Sequence, residues 1–260
     1  MLKGRYALIL LLVVTFIFWG LKSISPKAGT KDTVVVMAAS SLTDSLQQLA
    51  EQFEASHTDI NIRLNFAGTQ IMRTQIEQGA KADVFAAANY HHIEDLKEQG
   101  LVQKPQVFAR NKLVLIVPKD NPGEIHSITD LVKPNSLVLA ADNVPVGGYS
   151  RQVLKKIEAD LGQNFSSRVL NNLVSEETNV KSVMAKVALG EADAGIVYNS
   201  DLKGVTTKTV TAVDIPAKYN LEAEYYISRI SESNSEAAQQ FIEFIISSEG
   251  KKVLEQFGFY

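Results

Sequence analysis

The sequence predicts an α/β fold arranged in two lobes, and three observations predict it. From Thr33 onward, short runs of β-branched residues alternate with stretches of helical periodicity, a pattern typical of a largely parallel sheet with connecting helices. The same alternation restarts between about residues 121 and 219. A length of 260 residues, 45% of them hydrophobic, suffices for two separate cores.

The first half of the chain supplies four predicted strands and three predicted helices. The strands are expected at residues 34–36, 60–66, 84–88 and 112–117. The first helix opens at Ser41 and carries apolar residues at helical spacing, with Ser41 and Asp44 placed as cap and first-turn acid. The other two helices are expected from Thr69 to Gly79 and over residues 93–99.

The second half repeats this plan and then returns to the first lobe. Strands are expected at residues 137–140, 195–198 and 223–230, and helices at residues 149–160, 180–189, 235–248 and 251–257. No linker rich in Pro or Ser separates the halves, so extended segments near Val114 and Tyr226 are expected to join them. The predicted lobes are residues 33–112 with 228–260 (lobe I) and residues 113–227 (lobe II).

Composition excludes several classes of function. The net charge of −3, without a long basic block, argues against nucleic-acid binding. Zero Cys excludes disulfides, thiolate metal sites and cysteine nucleophiles, and 4 His make a His-rich metal cluster improbable. The chemistry therefore has to come from hydroxyls, amides, carboxylates and the backbone.

The N-terminus predicts export. Lys3 and Arg5 precede an uncharged apolar run over residues 7–20, a length typical of a signal-peptide core and short for a membrane span. Residues 1–29 are therefore expected to be a signal peptide or an uncleaved anchor, without a cysteine for lipid attachment. Their removal would take away four basic residues and no acid, leaving a net charge of about −7.

Several predicted strands run directly into a hydroxyl or glycine at a predicted helix start. These junctions are residues 38–42, 66–69, 144–149 and 175–179. Helix N-termini offer unpaired N–H groups and partial positive charge, and parallel α/β sheets bring such junctions to one crevice. The set predicts an anion site without Lys or Arg, although Ser41, Thr69 and Thr178 taken singly are more often plain N-caps.

For the other candidate groups, the sequence favours structural roles over catalytic or metal-binding ones. Ser40 or Ser41 could be a nucleophile, but neither a G-x-S-x-G elbow nor a partner His supports this. Gly147 and Gly148 lack the rest of a phosphate-binding loop, and Asp201 is more often a turn residue than a general acid. Two pairs of consecutive residues are also predicted to have structural roles. His91 and His92 are expected to form a solvated surface pair, and Glu176 and Glu177 are expected on or before a helix start.

These junctions, in this order, resemble the molybdate-binding periplasmic component of ABC transporters, a type II solute-binding protein. The resemblance covers nearly all of the chain from Val34 to Phe259. It is carried by residues 38–43 (AASSLT), 79–85 (GAKADVF), 144–149 (VPVGGY), 190–198 (GEADAGIVY) with Ser200 and Asp201, 241–250 (FIEFIISSEG) and 257–259 (FGF).

The resemblance implies an oxyanion site. Ser41 and Thr69 would donate through hydroxyls, Val146 and Val180 through backbone N–H groups, and Tyr198 through its phenol. Thr69 stands where the family usually has serine, so the preference among molybdate, tungstate and sulfate stays open. A plain alternative for Tyr198 is a packed aromatic at a strand end with its hydroxyl at the surface.

The function implied is therefore an extracytoplasmic, two-lobed receptor for molybdate or tungstate that delivers its ligand to an ABC permease and ATPase. The resemblance implies a monomer without a cofactor, a direct cation ligand or enzymatic activity. Three alternatives stay open: a receptor for another anion such as sulfate or a small organic anion, an exported enzyme using Ser41, and an anchored sensor domain.

Overall fold

The computed structural model describes residues 31–133, 135–203 and 208–260. Within these, Asp32–Tyr260 forms one compact unit. The leader predicted over residues 1–29 lies outside the described residues and stays a prediction.

The described strands form one nine-stranded sheet. Their bounds are β1 (Asp32–Ala39), β2 (Ile60–Ala67), β3 (Val84–Ala87), β4 (Gln106–Pro118), β5 (Leu137–Ala140), β6 (Leu173–Glu177), β7 (Ala194–Tyr198), β8 (Val210–Val213) and β9 (Glu222–Arg229). The order is β2-β1-β3-β9-β4-β7-β5-β6, with β8 paired to β4.

Eight α-helices connect or flank these strands in the described residues. They are α1 (Thr43–Ser56), α2 (Thr69–Glu77), α3 (Tyr90–Glu98), α4 (Pro145–Leu161), α5 (Phe165–Leu170), α6 (Val180–Ala188), α7 (Glu236–Ile246) and α8 (Ser248–Gln256). Short 3-10 turns in the described residues include Ser40–Leu42, Ile128–Val132 and Asn199–Leu202.

The sheet is parallel in its two wings and antiparallel in its middle. Strand β1 runs parallel to β2 and β3, and β5 runs parallel to β6 and β7, whereas β4 and β9 run antiparallel to all of their neighbours. The prediction of a largely parallel sheet is therefore wrong for the centre. Because β4 and β9 carry the chain back through the sheet, their direction follows from the order in which the strands are connected and not from the local sequence.

Strand β4 joins the two halves of the sheet. Its residues up to Lys112 pair with β9, and from Leu113 onward it pairs with β7 and β8. We call β2, β1, β3, β9 and the start of β4 the first half-sheet, and the remaining strands the second half-sheet. The lobe boundaries expected at residues 112/113 and 227/228 stay a prediction.

Each face of the first half-sheet is covered by helices, which explains its alternating apolar residues. In β1, Val34 and Val36 pack into the large core with α1, α7 and α8, whereas Met37 packs into a smaller core with α2 and α3. Both faces of β1 are therefore buried.

Several element boundaries differ from the sequence prediction. Helix α3 begins at Tyr90, three residues before the predicted start, because Asn89 is its N-cap and accepts a bond from the His92 N–H. Glu176 and Glu177 end strand β6 and lie before the start of α6 at Val180, within the predicted position on or before a helix start. The sequence prediction also lacked β6, β8 and α5, which are short segments without a strong periodic pattern.

Candidate functional site

A small cleft brings together all five residues of the predicted oxyanion site. It is lined by Ser41, Thr69, Val146, Val180 and Tyr198, together with Ala39, Ser40, Gly68, Ala88, Val144 and Pro145. No charged side chain is among these described lining residues. The lining comes from both half-sheets, so the cleft lies between them. The individual roles of the five residues stay a prediction.

Ser41 is held by a partner that the sequence did not reveal. The prediction of Ser41 as N-cap is wrong: Ser40–Leu42 forms a 3-10 turn, and Leu42 occupies the N-cap position of α1. The buried Ser41 hydroxyl instead accepts a hydrogen bond from the Tyr225 hydroxyl at 3.0 Å. Because its oxygen already accepts from the protein, its own proton is left to be donated into the cleft.

Thr69 shows the same arrangement at the start of α2. Gly68 takes the N-cap position, so Thr69 is the first helical residue and not the cap. The Thr69 hydroxyl accepts from the Ala88 backbone N–H at 3.3 Å, and the residue is 1% exposed. Its proton is likewise left for a ligand that can accept it.

Val146 and Val180 lie in the first turns of two helices, where the contribution expected of them is a backbone N–H group. Val146 lies in the first turn of the 17-residue helix α4, which begins at Pro145, four residues before the predicted start. Val180 opens α6 after the N-cap Asn179, whose side chain accepts from Ser182 N–H, so Thr178 is not the cap. N–H groups in a first helical turn have no partner within the helix.

Tyr198 ends β7 with its side chain buried. Its residue exposure is 1%, so the alternative of a hydroxyl at the surface is wrong. Within the described part of the chain, that buried hydroxyl has no hydrogen-bond partner of ordinary geometry. Burial raises the pKa of Tyr198 well above its usual value, so the phenol keeps the proton that it could donate to an anion.

A buried carboxyl lies behind Tyr198. Asp201 accepts a bond from the Tyr198 backbone N–H at 3.1 Å, and its side chain is fully buried. Burial raises the pKa of Asp201 to about 6, although Lys181 lies 3.7 Å from its Oδ1 and opposes this shift. Asp201 does not line the cleft, so it positions the strand end rather than contacting a ligand.

Polar contacts cross the cleft and hold its two sides together. Gln70 Nε2 donates to the Thr178 carbonyl at 2.8 Å, and Lys181 Nζ lies 2.9 Å from Asp44 Oδ2. The starts of α2 and α6 also approach closely, since a Cβ on Gly68 would lie 2.3 Å from the Thr178 oxygen. The cleft is therefore closed in this structure.

Sequence reasoning missed the groups that orient the donors. Tyr225 lies on the buried face of β9 between Ala223 and Ile227, and the alternation of that strand could have predicted its burial. Its contact with Ser41 joins residues 184 positions apart, which no local pattern encodes.

Comparison with known proteins places this geometry in a family. A profile for bacterial extracellular solute-binding proteins matches residues 34–260. This chain belongs to that family. As a solute-binding protein it is not an enzyme, as the sequence predicted, and the enzymatic alternative using Ser41 is set aside.

Individual relatives agree with the family match. The molybdate-binding protein ModA of Mycobacterium tuberculosis is 36% identical over 237 residues, covering 90% of this chain and 86% of that protein. The solved substrate-binding domain of a putative molybdenum ABC transporter from Clostridium difficile is 27% identical, with a TM-score of 0.65 and coverage of 87% and 97%. The predicted resemblance to molybdate-binding receptors is confirmed.

The fold is confirmed as well. The solved periplasmic molybdate-binding protein of Azotobacter vinelandii superposes with a TM-score of 0.75 at 22% identity, covering 87% of this chain and 98% of that chain. The two-lobed α/β architecture of solute-binding proteins is thus that of this chain. In the portion that the structure describes, none of the helices has the length and apolar character needed to span a bilayer.

Proposed function

We propose that this protein binds molybdate, and tungstate with it, as the receptor of an ABC importer. The observation that carries the proposal is the neutral cleft lined by the residues of two oriented hydroxyls, two first-turn N–H groups and the Tyr198 phenol, which has no hydrogen-bond partner of ordinary geometry among the described residues. A tetrahedral dianion needs donors on all sides and no acceptor. Several hydrogen bonds to a charged group, each contributing about 1.5–3 kcal/mol, support tight capture.

The lining disfavours phosphate as the ligand. Phosphate keeps a proton near neutral pH, and that proton needs an acceptor such as a carboxylate. The cleft has no carboxylate among its described lining residues. Relatives that carry the name molybdate-binding protein support the choice of ligand.

Isothermal titration with molybdate, tungstate, sulfate and phosphate tests the proposal. We expect tight one-to-one binding of molybdate and tungstate and no binding of phosphate. Absence of heat with molybdate and tungstate would overturn the proposal.

Sulfate is the second candidate, and the side chain at position 69 favours it. Thr69 lines the cleft and carries a methyl group that serine lacks, so it leaves less space for a ligand than serine would, and sulfate is the smaller dianion. Thr69→Ser keeps the hydroxyl and removes the methyl. If size limits the ligand, this variant shifts the ratio of molybdate to sulfate affinity toward molybdate, whereas an unchanged ratio contradicts a steric role for the methyl.

Delivery completes the proposed function. The receptor acts as a monomer outside the cytoplasmic membrane, exported by the leader of residues 1–29, and releases the oxyanion to a permease driven by its ATPase. Support comes from the family match. Molybdate uptake in cells deleted for this gene, with and without a plasmid copy, tests delivery: undiminished uptake in the deletion strain at low molybdate contradicts it.

A further inference from the structure

A second group of ligand atoms lies at the start of α3, outside the oxyanion cleft. One ligand atom each of His91, His92 and Asp95 lies within 4.8 Å of the others. His91 is exposed, and its Nδ1 lies 3.7 Å from Asp95 Oδ1. Two imidazoles and a carboxylate are the ligand types that Zn²⁺ and related ions prefer.

His92 does not form the solvated surface pair that the sequence predicted, because it is only 4% exposed. Its Nε2 lies 2.8 Å from the Asn143 carbonyl oxygen, which can only accept, so Nε2 carries the proton. In the neutral ring, Nδ1 then has a free lone pair. That Nδ1 is buried and lacks a hydrogen-bond partner in the described residues.

This arrangement is the one found around metal-binding histidines. Such a histidine typically donates one ring N–H to a backbone carbonyl or carboxylate, which fixes the ring and leaves the other nitrogen for the metal. An unpartnered buried nitrogen otherwise costs free energy, because it has lost its water without gaining a partner. A cation beside His91 and Asp95 would supply that partner.

One neighbouring charge opposes a cation here. The Arg73 guanidinium pairs with Asp95 Oδ2, which leaves Oδ1 directed toward His91. Arg73 is also the neighbour of Glu77, with Nε 3.6 Å from Oε1. A metal ion bound here would lie close to the positive charge of Arg73. The affinity of the site for the ion is therefore lower than it would be without Arg73.

We propose that His91, His92 and Asp95 bind one divalent transition-metal ion of the Zn²⁺, Ni²⁺ or Co²⁺ type, with water in the remaining positions. The site does not depend on the identity of the oxyanion. Mg²⁺ and Ca²⁺ are not expected to occupy this site, because both ions prefer coordination by oxygen atoms alone.

Titration of the untagged protein with ZnCl₂, and with CoCl₂ followed by visible absorption, tests the site. We expect one ion per chain, with Co²⁺ bands that Zn²⁺ displaces and MgCl₂ does not. His91→Ala, at an exposed position, is expected to weaken Zn²⁺ binding at least tenfold, and Asp95→Asn severalfold. His126→Ala removes an exposed histidine elsewhere and is the matched control.

The Arg73→Gln variant tests the site with a change of Zn²⁺ affinity in the opposite direction. Removing the positive charge beside Asp95 is expected to tighten Zn²⁺ binding severalfold, which general damage to the fold would not do. The proposal is overturned if no stoichiometric binding occurs, if His91→Ala binds like the unaltered protein, or if Arg73→Gln leaves binding unchanged or weaker.

Discussion

At the scale of single residues, the cleft depends on hydroxyls whose direction is set by neighbours. Ser41 and Thr69 each accept a bond from the protein, from Tyr225 and from the Ala88 N–H respectively. A hydroxyl that accepts in this way is pre-oriented as a donor, so binding an anion requires little rearrangement.

Ser41→Ala removes one donor from the cleft. Since a hydrogen bond to a charged group contributes about 1.5–3 kcal/mol, molybdate affinity is expected to fall roughly 10- to 100-fold in calorimetric titration. Ser40→Ala is the matched control and is expected to change affinity less than about threefold. A larger effect at Ser40 than at Ser41 would show that the register of the site is wrong.

Tyr225→Phe removes the group that orients Ser41. We expect a smaller loss of affinity than with Ser41→Ala, because the Ser41 donor remains but is free to turn away. Tyr226→Phe is the control, since the Tyr226 hydroxyl bonds to Glu224 instead of Ser41. Equal affinities for Tyr225→Phe and the unaltered protein would contradict the positioning role.

At the scale of elements, the site requires helix starts to lie directly against strand ends. Gly147 permits this for α4, because a Cβ there would lie 2.0 Å from the Ala141 oxygen and 2.4 Å from the Ala140 oxygen. Both contacts are with backbone, which cannot move aside as a side chain can.

Gly147→Ala should therefore push the start of α4 away from the cleft. We expect a loss of about 1–3 kcal/mol in the free energy of unfolding, measured with urea, together with weaker molybdate binding. Gly148→Ala is the control, since its Cβ would meet the Asp142 oxygen at 3.1 Å, a milder contact. Indistinguishable stabilities for the two variants would argue against close approach as the reason for Gly147.

At the scale of the whole molecule, the buried Asp201 links protonation to stability. Its pKa of about 6 exceeds the usual carboxyl value near 4 because of burial. Between these two values the folded chain holds a proton that the unfolded chain has lost. The contribution of Asp201 to stability is therefore present below about pH 4 and is lost as pH rises through about 6.

Asp201→Asn should remove this dependence. Over that pH range we expect the free energy of unfolding of the variant to rise relative to the unaltered protein by up to about 3 kcal/mol. Asparagine keeps an oxygen that can accept from the Tyr198 N–H. Urea unfolding of both proteins at several pH values measures the difference, and parallel pH curves would contradict an elevated Asp201 pKa.

Much of the architecture and the candidate site follows from the sequence alone. Alternating apolar runs located most strands, and helical spacing located α1, α6 and α7, because these segments bury one face and their period is local. The junction motifs contain Ser41, Thr69 and Val146, the family resemblance added Val180 and Tyr198, and the cleft brings all five together. Local order suffices here because a strand end followed by a helix start is itself a local feature.

Other features were decided by the tertiary structure. The antiparallel course of β4 and β9, the Tyr225–Ser41 bond and the Lys181–Asp44 contact all join residues far apart in the chain. The burial of His92 likewise depends on the distant Asn143 carbonyl, so an exposed-looking pair of histidines became one exposed and one buried ring. Long-range packing selects these partners, and a single sequence carries no periodic signal for it.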